Sequence, residues 1–242
     1  KLTIDLQSQD TNEDSKSLIS GRDIFPTPIL PKYDRTATQT NQKTYLAKLD
    51  YVLPIGKMSQ FEFGTKSNFT TNNTNYVVED LFNGLWINDL NFSNKLEFEE
   101  NVHAVYSQFG SKTGKFSYLL GMRYEVSDVK ILLKTTDENF DKNYDGFFPT
   151  ANLSYELNEK ESFTFGYSKR LRRPQARQLN PFKSKTSENN IFVGNIDLDP
   201  TNTDAIDIGY LKRWDKFTLN SSFYYNYSTG NYEMIVKESG ET

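Results

Sequence analysis

The residues whose types are best suited to catalysis surround the single histidine of this 242-residue chain. His103 falls on an alternating row with Glu99, Asn101 and Ser107. A histidine beside a carboxylate can activate water, and a serine beside a histidine can act as a nucleophile. The row offers no orienting acid and no oxyanion hole for Ser107, and a polar histidine on a water-facing strand needs no catalytic role. We therefore expect that the chain is not an enzyme.

Pairs of acidic residues stand two positions apart and would share one face of a strand. Glu97 and Glu99 have the spacing that glycosidases and calcium sites require, and Asp197 and Asp199 have the composition of a calcium loop. Any hydrophilic strand face produces the same spacing, and neither pair has converging ligands from other segments. Cysteine is absent, which removes thiolate metal sites, and no glycine-rich phosphate loop is present. We expect no metal and no cofactor.

The balance of charges argues against nucleic-acid binding. The net charge is −4, and the one basic run, KRLRR at 169–173, is too short to form a basic surface. Fifteen tyrosines and eighteen phenylalanines suit β-strands and the aromatic girdles of membrane barrels. No stretch is apolar for long enough to form a transmembrane helix. A mean hydropathy of −0.69 is still compatible with a barrel, because only one face of each strand needs to be apolar.

Segments in which apolar and polar residues alternate are the elements that must position these side chains. Residues 43–53 place Tyr45, Leu49 and Leu53 on a face that can meet lipid. The clearest segment covers residues 115–127, whose apolar row consists of Phe116, Tyr118, Leu120, Met122, Tyr124 and Val126. A soluble β-sandwich or adhesion module also alternates, but its strands average about five or six residues. Strands of roughly ten to thirteen residues are long enough to cross a tilted bilayer, and they favour a membrane barrel.

The links between these segments alternate between short and long. The short links are 54–57, 111–114, 158–161 and 214–216, and the long links are 10–42, 70–95, 128–146 and 172–202. Tight turns at one rim and long loops at the other are typical of outer membrane barrels. We therefore predict an all-β, antiparallel, up-and-down transmembrane barrel with about ten strands, short periplasmic turns and long extracellular loops. Residues 1–9 and 231–237 are the weaker candidates for the first and last strands.

Two runs in the fourth long link resemble motifs of the TonB-dependent receptors of the Bacteroidetes type. The first run contains Arg173, Pro174, Leu179, Asn180, Pro181 and Phe182, and the second contains Gly194, Asn195, Leu198 and Pro200. The second run departs from the family at Ile196, where proline is usual, and at Thr201, where an acidic residue often follows. Segments 45–69, 100–125 and 147–157 look like successive hairpins of the same barrels, so the resemblance covers roughly residues 43–236.

The resemblance implies energy-coupled uptake of a scarce ligand across the cell outer membrane. Such a receptor has 22 strands, a plug domain and a segment engaged by TonB, and its expected partners also include lipid, lipopolysaccharide and a surface lipoprotein. About ten strands of a larger barrel would leave two unpaired edges in lipid. We therefore expect residues 1–242 to be part of the barrel, with the plug absent from this chain. A self-contained ten-stranded barrel that acts as an omptin-like protease or a passive porin is the alternative.

The same runs suggest where a ligand would bind. Prolines mark where the chain leaves the barrel wall, and Gly194 permits backbone conformations that are closed to other residues. We expect the link to fold toward the lumen, where Arg170, Arg172, Arg173 and Arg177 meet acidic groups of the plug or ligand. The alternative places these arginines at the rim, against lipopolysaccharide phosphates or water. The ligand-binding candidates are Tyr76, Phe82, Trp86, Arg173, Arg177 and Asn180.

Overall fold

Long antiparallel strands make up almost the whole molecule. The computed structural model describes residues 1–21 and 32–238. Its long strands are β1 (Leu2–Gly21), β2 (Lys32–Ile55), β3 (Ser59–Phe82), β5 (Asn94–Thr113), β6 (Phe116–Leu133), β7 (Glu138–Asn158), β8 (Glu161–Arg172), β11 (Thr201–Arg213) and β12 (Thr218–Thr229). The short elements are β4 (Leu85–Asn88), α1 (Ala176–Leu179), β9 (Ser184–Lys185) and β10 (Ile191–Phe192). No helix in this described part of the chain is long and apolar enough to cross a membrane.

The nine long strands pair in the order in which they follow one another in the chain. The sheet order is β1-β2-β3-β5-β6-β7-β8-β11-β12, with β4 added beside the end of β3 and with β9 and β10 forming a separate pair. All of these pairings are antiparallel. The predicted all-β, antiparallel, up-and-down fold is therefore confirmed.

Short polar turns join the strands at one end of the sheet. They cover residues 56–58, 114–115, 159–160 and 214–217, which confirms the four predicted short links within two or three residues. Gly56 and Gly114 have φ values of 66° and 59°, a conformation that glycine adopts without steric cost. These turns therefore form a rim with little protruding chain.

At the opposite end, the strands run much further than the sequence pattern predicts. Strand β1 continues to Gly21, β3 continues to Phe82, and β6 and β7 are separated only by residues 134–137. Three of the four predicted long links are therefore mostly strand, with residues 22–31 of the first lying outside the described residues. In β3 the extension begins with residues 70–75, which are polar on both faces, so the alternation disappears while the backbone ladder to β2 and β5 continues. The fourth long link is confirmed as an excursion between β8 and β11.

The last predicted strand is wrong, because residues 231–238 form no strand. Gly230 has a φ of 72° at the end of β12, and its carbonyl oxygen accepts a hydrogen bond of 3.0 Å from the Thr201 hydroxyl. The chain then turns toward the excursion, where the Tyr232 hydroxyl donates a 3.2 Å hydrogen bond to Gln178. Local backbone geometry thus ends the sheet before residue 231.

Residues 173–200, here called the covering segment, lie over one face of the sheet, here called the covered face. The main apolar core lies between them and consists of Leu96, Phe98, Val129, Ile131, Leu133 and Leu179. Leu179 is the member from the covering segment and is 1% exposed. The core is therefore formed by long-range packing against the sheet, and the opposite face is called the uncovered face.

The uncovered face carries the predicted lipid-facing rows near the short turns. In the register of β2 and β3, Tyr51 is opposite Phe63, and these rings lie 5.3 Å apart. Leu120 and Phe223 on the same face are 48% and 62% exposed. An exposed apolar row of this length, flanked by tyrosines, suits contact with the hydrocarbon region of a bilayer.

Candidate functional site

The covering segment leaves the sheet near one proline and rejoins it at another. Pro174 follows the end of β8 by two residues, and Pro200 directly precedes β11. Proline cannot donate to a backbone ladder, so both positions end sheet pairing, as predicted. Between them, the Gln178 side chain accepts a 2.8 Å hydrogen bond from the Gln175 amide at the start of α1. These local features give the segment a defined conformation.

Gly194 is needed for space and not for an unusual backbone angle, which corrects the expectation from the sequence. The φ angle of Gly194 is not positive. A Cβ at this position would lie 2.5 Å from the carbonyl oxygens of Gln178 and Asn180. The Gly194 amide donates a 2.8 Å hydrogen bond to Asn180, and the Asn195 amide donates a 2.7 Å bond to Gln178. Glycine therefore allows two parts of the covering segment to pack backbone against backbone.

Several motif residues hold the covering segment on the wall. Leu179 is buried in the core, with Phe182, Ile196 and Leu198 packed around it. The Asn180 side chain accepts a 3.0 Å hydrogen bond from the Phe182 amide, and the Lys142 ammonium donates a 2.8 Å bond to the Leu198 carbonyl. These motif residues therefore act mainly in folding, because their contacts are satisfied within the chain.

Arg173 contacts acidic groups, as expected, but these groups belong to the sheet and not to a plug or a ligand. Its guanidinium pairs with Glu125, lies 3.6 Å from Glu100, and donates a 2.7 Å hydrogen bond to the Ser127 hydroxyl. The Arg173 side chain is only 17% exposed. A largely but not fully buried arginine that is paired with two carboxylates fixes the start of the covering segment to β5 and β6. The segment was expected to fold toward the lumen, and the structure shows that it folds over one face of the sheet, where Arg173 meets acidic groups of the sheet itself.

The other three arginines of this region have different surroundings. Arg170 donates a 3.2 Å hydrogen bond to Ser168, and Arg172 stacks over the Tyr232 ring at 5.6 Å. Arg177 stacks over the Phe192 ring at 4.6 Å. Only Arg173 is therefore embedded in an ion-pair cluster within the described part of the chain.

Lys185 attaches the far end of the covering segment to β2 and β3. Its ammonium nitrogen lies 2.6 Å from Asp34 Oδ2 and 3.5 Å from Asp80 Oδ1. The Lys185 side chain is 6% exposed, and the Asp34 side chain is fully buried. Asp34 and Asp80 are direct partners in the β2–β3 register, so Lys185 compensates two carboxylates that would otherwise repel each other.

This cluster, which lies far from the short turns, shifts the pKa values of its members in different directions. Burial opposes ionisation of Asp34, but hydrogen bonding and attraction from Lys185 outweigh it and lower the pKa of Asp34. Burial and the Asp34 carboxylate raise the pKa of Asp80. Burial also opposes the charge of Lys185, but Asp34 outweighs it and raises the pKa of Lys185. The arrangement therefore favours an ionised Asp34–Lys185 pair beside a more readily protonated Asp80.

A cavity of about 590 Å³ lies between the covering segment and the covered face of β1, β2 and β3. Tyr76 lies on its wall, and its hydroxyl donates to the Lys185 carbonyl at 3.2 Å and accepts from the Lys185 amide at 3.1 Å. Burial raises the pKa of Tyr76, so its hydroxyl stays protonated. The cavity is therefore closed on one side by the part of the covering segment that Lys185 and Tyr76 hold in place.

The structure brings together three of the six predicted ligand-binding residues. Tyr76, Arg177 and Asn180 line the cavity. Phe82 ends β3 at the rim and is 63% exposed, and Trp86 on β4 stacks against Arg35 on the uncovered face. Arg173 is absorbed by its ion-pair cluster. The sequence reading missed other cavity-lining residues, although the alternating threonines of 36–40 were a signal for them.

The His103 row lies on the uncovered face, which corrects its predicted lumen-facing position. Leu96 and Phe98 are buried under the covering segment, so the apolar row of β5 faces inward at that end and the His103 row faces outward. The His103 ring is 2.9 Å from the Ser67 hydroxyl and makes an edge contact with Phe69. Alternation separates two faces but does not identify which face is covered.

The acidic pairs show no shared ligand site. Glu97 pairs with Lys134, and Asp199 lies 3.8 Å from Lys142. Within residues 1–21 and 32–238, no group of three acidic or histidine side chains converges in a way that could hold a metal ion. One member of each acidic pair, Glu97 or Asp199, therefore forms an ion pair with a lysine.

The model of the outer membrane protein beta-barrel family matches residues 1–242. No curated protein matches the chain.

Solved structures of two transporters and an uptake receptor share its fold. The copper transporter OprC is 13% identical, with a TM-score of 0.62 over 91% of this chain and 35% of its own. The ferric yersiniabactin uptake receptor FyuA from Yersinia pestis is 12% identical, with a TM-score of 0.56 over 94% of this chain and 33% of its own. The ferric citrate transporter FecA in the unliganded form is 13% identical, with a TM-score of 0.54 over 90% and 31%. The chain therefore spans about a third of the length of these structures.

Proposed function

Because the chain belongs to the outer membrane protein beta-barrel family, we propose that it forms part of the wall of a TonB-dependent receptor for energy-coupled uptake. The protein is an outer membrane protein with an antiparallel β-barrel type of fold. Three similar structures are named as transporters or uptake receptors, and they support a transport role at the level of the fold. Membership of the Bacteroidetes type rests on the two motif runs that begin at Arg173 and Gly194.

The covering segment is the observation that carries this proposal. In this proposal the covered face is the lumen side of the barrel. The covering segment crosses that face from Arg173, which contacts β5 and β6, to Lys185, which contacts β2 and β3. A passive porin needs an open water-filled channel, whereas a receptor needs a partly closed lumen with groups that can hold a ligand. The two buried ion-pair clusters keep the lumen side of this wall covered.

The remaining parts of the receptor are proposed from the same assignment. Residues 1–242 form a partial barrel domain, and a plug and a TonB-engaged segment complete a 22-stranded receptor. The apolar rows of the uncovered face contact lipid, and polar side chains beyond them meet lipopolysaccharide. A surface lipoprotein is a further partner. The proposed function requires neither a nucleic acid nor a cofactor.

We propose no catalytic role for this part of the protein. His103 lies on the uncovered face, where the Ser67 hydroxyl is its hydrogen-bond partner, and it forms no ion pair with a carboxylate within the described residues. A protease of the omptin kind needs a positioned base in the barrel mouth. The passive porin is the second alternative, and it differs from a receptor in conductance.

The full-length gene product in planar bilayers tests the proposal. We expect little ion conductance, together with retention of the protein on an immobilised periplasmic domain of TonB. A stable open-channel conductance without TonB retention would overturn the receptor in favour of a porin. Peptide hydrolysis that is abolished by His103→Ala would overturn it in favour of a protease.

A further inference from the structure

The strand wall of the cavity is a regular array of hydroxyl groups. In the β1–β2 register, Ser15 is opposite Thr38 and Ser17 is opposite Thr36. Thr40 and Thr74 are partners in the next pair of strands, and both line the cavity. Neighbouring strands lie about 4.8 Å apart, and alternate residues along a strand lie about 6.8 Å apart. The array therefore presents hydroxyls at short and repeated intervals over one wall.

These hydroxyls are available for a ligand. Within the described residues, no side-chain hydrogen bond involves the hydroxyls of Thr36, Thr38 or Thr40, whereas the Thr74 hydroxyl bonds Asn72 at 3.0 Å. A hydroxyl both donates and accepts hydrogen bonds, so a row of hydroxyls complements a ligand that also carries hydroxyls. The hydrogen-bonding groups on this side of the cavity are thus best complemented by a polyhydroxylated molecule.

The opposite wall supplies polar groups from the covering segment. Arg177 lines the cavity and stacks over Phe192, and it forms no ion pair within the described residues. Asn180 lines the same side, and its amide group is only 3.4 Å from Asn94. A guanidinium and an amide can each donate to ligand hydroxyls in a fixed plane. The two walls together surround a ligand with donors and acceptors.

The same geometry argues against other ligand classes. The Lys185 ammonium is already paired with Asp34, so Arg177 is left as the cation available to a phosphate, and one cation is a poor phosphate site. Tyr76 is 9% exposed, so it offers little aromatic surface to a planar chelate. An extended peptide usually pairs with the edge of a sheet, whereas this cavity lies on a sheet face.

We propose that this cavity binds a short oligosaccharide, with Thr38, Thr40 and Ser15 on one side and Arg177 and Asn180 on the other. Its volume of about 590 Å³ is typical of small-molecule sites, which measure about 300–1,000 Å³. The assignment rests on the proposed uptake function, because that function puts the cavity on the lumen side of the barrel. It names the ligand class, which the receptor proposal leaves open.

A glycan array probed with the purified full-length protein tests this assignment. We expect binding to at least one glycan, and Thr38→Val removes one hydroxyl at nearly constant volume. The loss of one hydrogen bond should weaken that binding about tenfold. Thr71→Val is the matched control, because Thr71 lies on the opposite face of β3, where its partners are Lys43 and Glu99.

The outcomes separate this proposal from the receptor function. Glycan binding that is weakened by Thr38→Val and unchanged by Thr71→Val supports the site. Absence of glycan binding above background, or equal binding by both variants, overturns it. Conductance and TonB retention are measured on the same preparations, so a normal result there shows that the receptor function stands while the oligosaccharide site fails.

Discussion

Lys185 Nζ lies 2.6 Å from Oδ2 of Asp34, and this contact joins residues that are 151 positions apart in the chain. Asp80 lies opposite Asp34 in the β2–β3 register, and one carboxyl oxygen of each aspartate has no hydrogen-bond partner in the described structure. The covering segment therefore supplies one cation to two neighbouring acids. This relationship makes the two aspartates unequal, since Asp34 holds the lysine and Asp80 is the easier one to protonate.

Neutralising either aspartate should have opposite effects on the covering segment. Asp34→Asn removes the buried partner of Lys185 and should destabilise the attachment of residues 184–192 by roughly 3 kcal/mol. Asp80→Asn removes the repulsion and can donate to Asp34, so it should leave the attachment unchanged or stronger. Hydrogen exchange of residues 184–192 in the full-length protein measures this. Equal acceleration by both variants would contradict the assigned roles.

The attachment should also depend on pH in two directions. The contribution of Asp34, whose pKa is lowered, is present above the ordinary value of 3.8 and is lost as the pH falls through the lowered pKa. The contribution of Asp80, whose pKa is raised, is present below its ordinary pKa and is lost as the pH rises through the raised pKa. Protection of residues 184–192, corrected for intrinsic exchange rates, should therefore be greatest between the two pKa values. In Asp80→Asn the decline on the high-pH side should disappear.

Arg173 should be irreplaceable at the other end of the covering segment. Arg173→Met leaves Glu100 without its positive partner and should loosen residues 174–182 by about 3 kcal/mol. Arg173→Lys should rescue little, because an ammonium does not reproduce the planar guanidinium that bonds Ser127 and Glu125 together. Arg170→Gln is the control, since Arg170 is exposed and bonds Ser168 alone. Hydrogen exchange of residues 174–182 gives the readout, and full rescue by lysine would show that charge alone suffices.

Alanine at position 194 should disrupt the covering segment through contact with backbone atoms. The added Cβ would lie 2.5 Å from two carbonyl oxygens, which cannot rotate away as a side chain can. We expect a loss of at least about 2 kcal/mol in stability, seen as a lower heat-modification temperature of the folded barrel on gels. Gly166→Ala is the matched control, because its nearest contact is an ordinary 3.6 Å. Equal behaviour of the two variants would contradict the close packing at Gly194.

Arginine on adjacent positions of β6 should distinguish the two faces of the wall. Leu120 lies on the uncovered face near the middle of the predicted lipid row, so Leu120→Arg should cost about 2–4 kcal/mol in a bilayer. Leu119 lies on the covered face beside Gly110, so Leu119→Arg should be tolerated much better. Urea unfolding of the full-length protein in lipid vesicles measures both. A larger cost at Leu119 would reverse the assignment of lumen and lipid sides.

The sequence predicted the elements whose causes are local or periodic. The row from Phe116 to Val126 identifies β6, because side chains alternate between strand faces with a period of two. The turns at Gly56 and Gly114 follow from the conformations that glycine allows. The prolines at 174 and 200 mark the ends of the excursion, since proline cannot continue a ladder. The sequence was less informative at the far ends of the strands, because residues 70–75 of β3 are polar on both faces and show no apolar row.

The sequence by itself determined that the chain is an antiparallel β-barrel wall with short turns at one rim and a proline-bounded excursion between β8 and β11. Only the tertiary structure decided which face of that wall is covered, because burial of Leu96 and Phe98 depends on a segment about 80 residues later in the chain. Only the tertiary structure likewise shows the Asp34–Lys185 pair and the cavity that Thr38 and Arg177 line from opposite sides. Alternation is a property of each strand alone, whereas these contacts arise when distant segments pack together and exclude water.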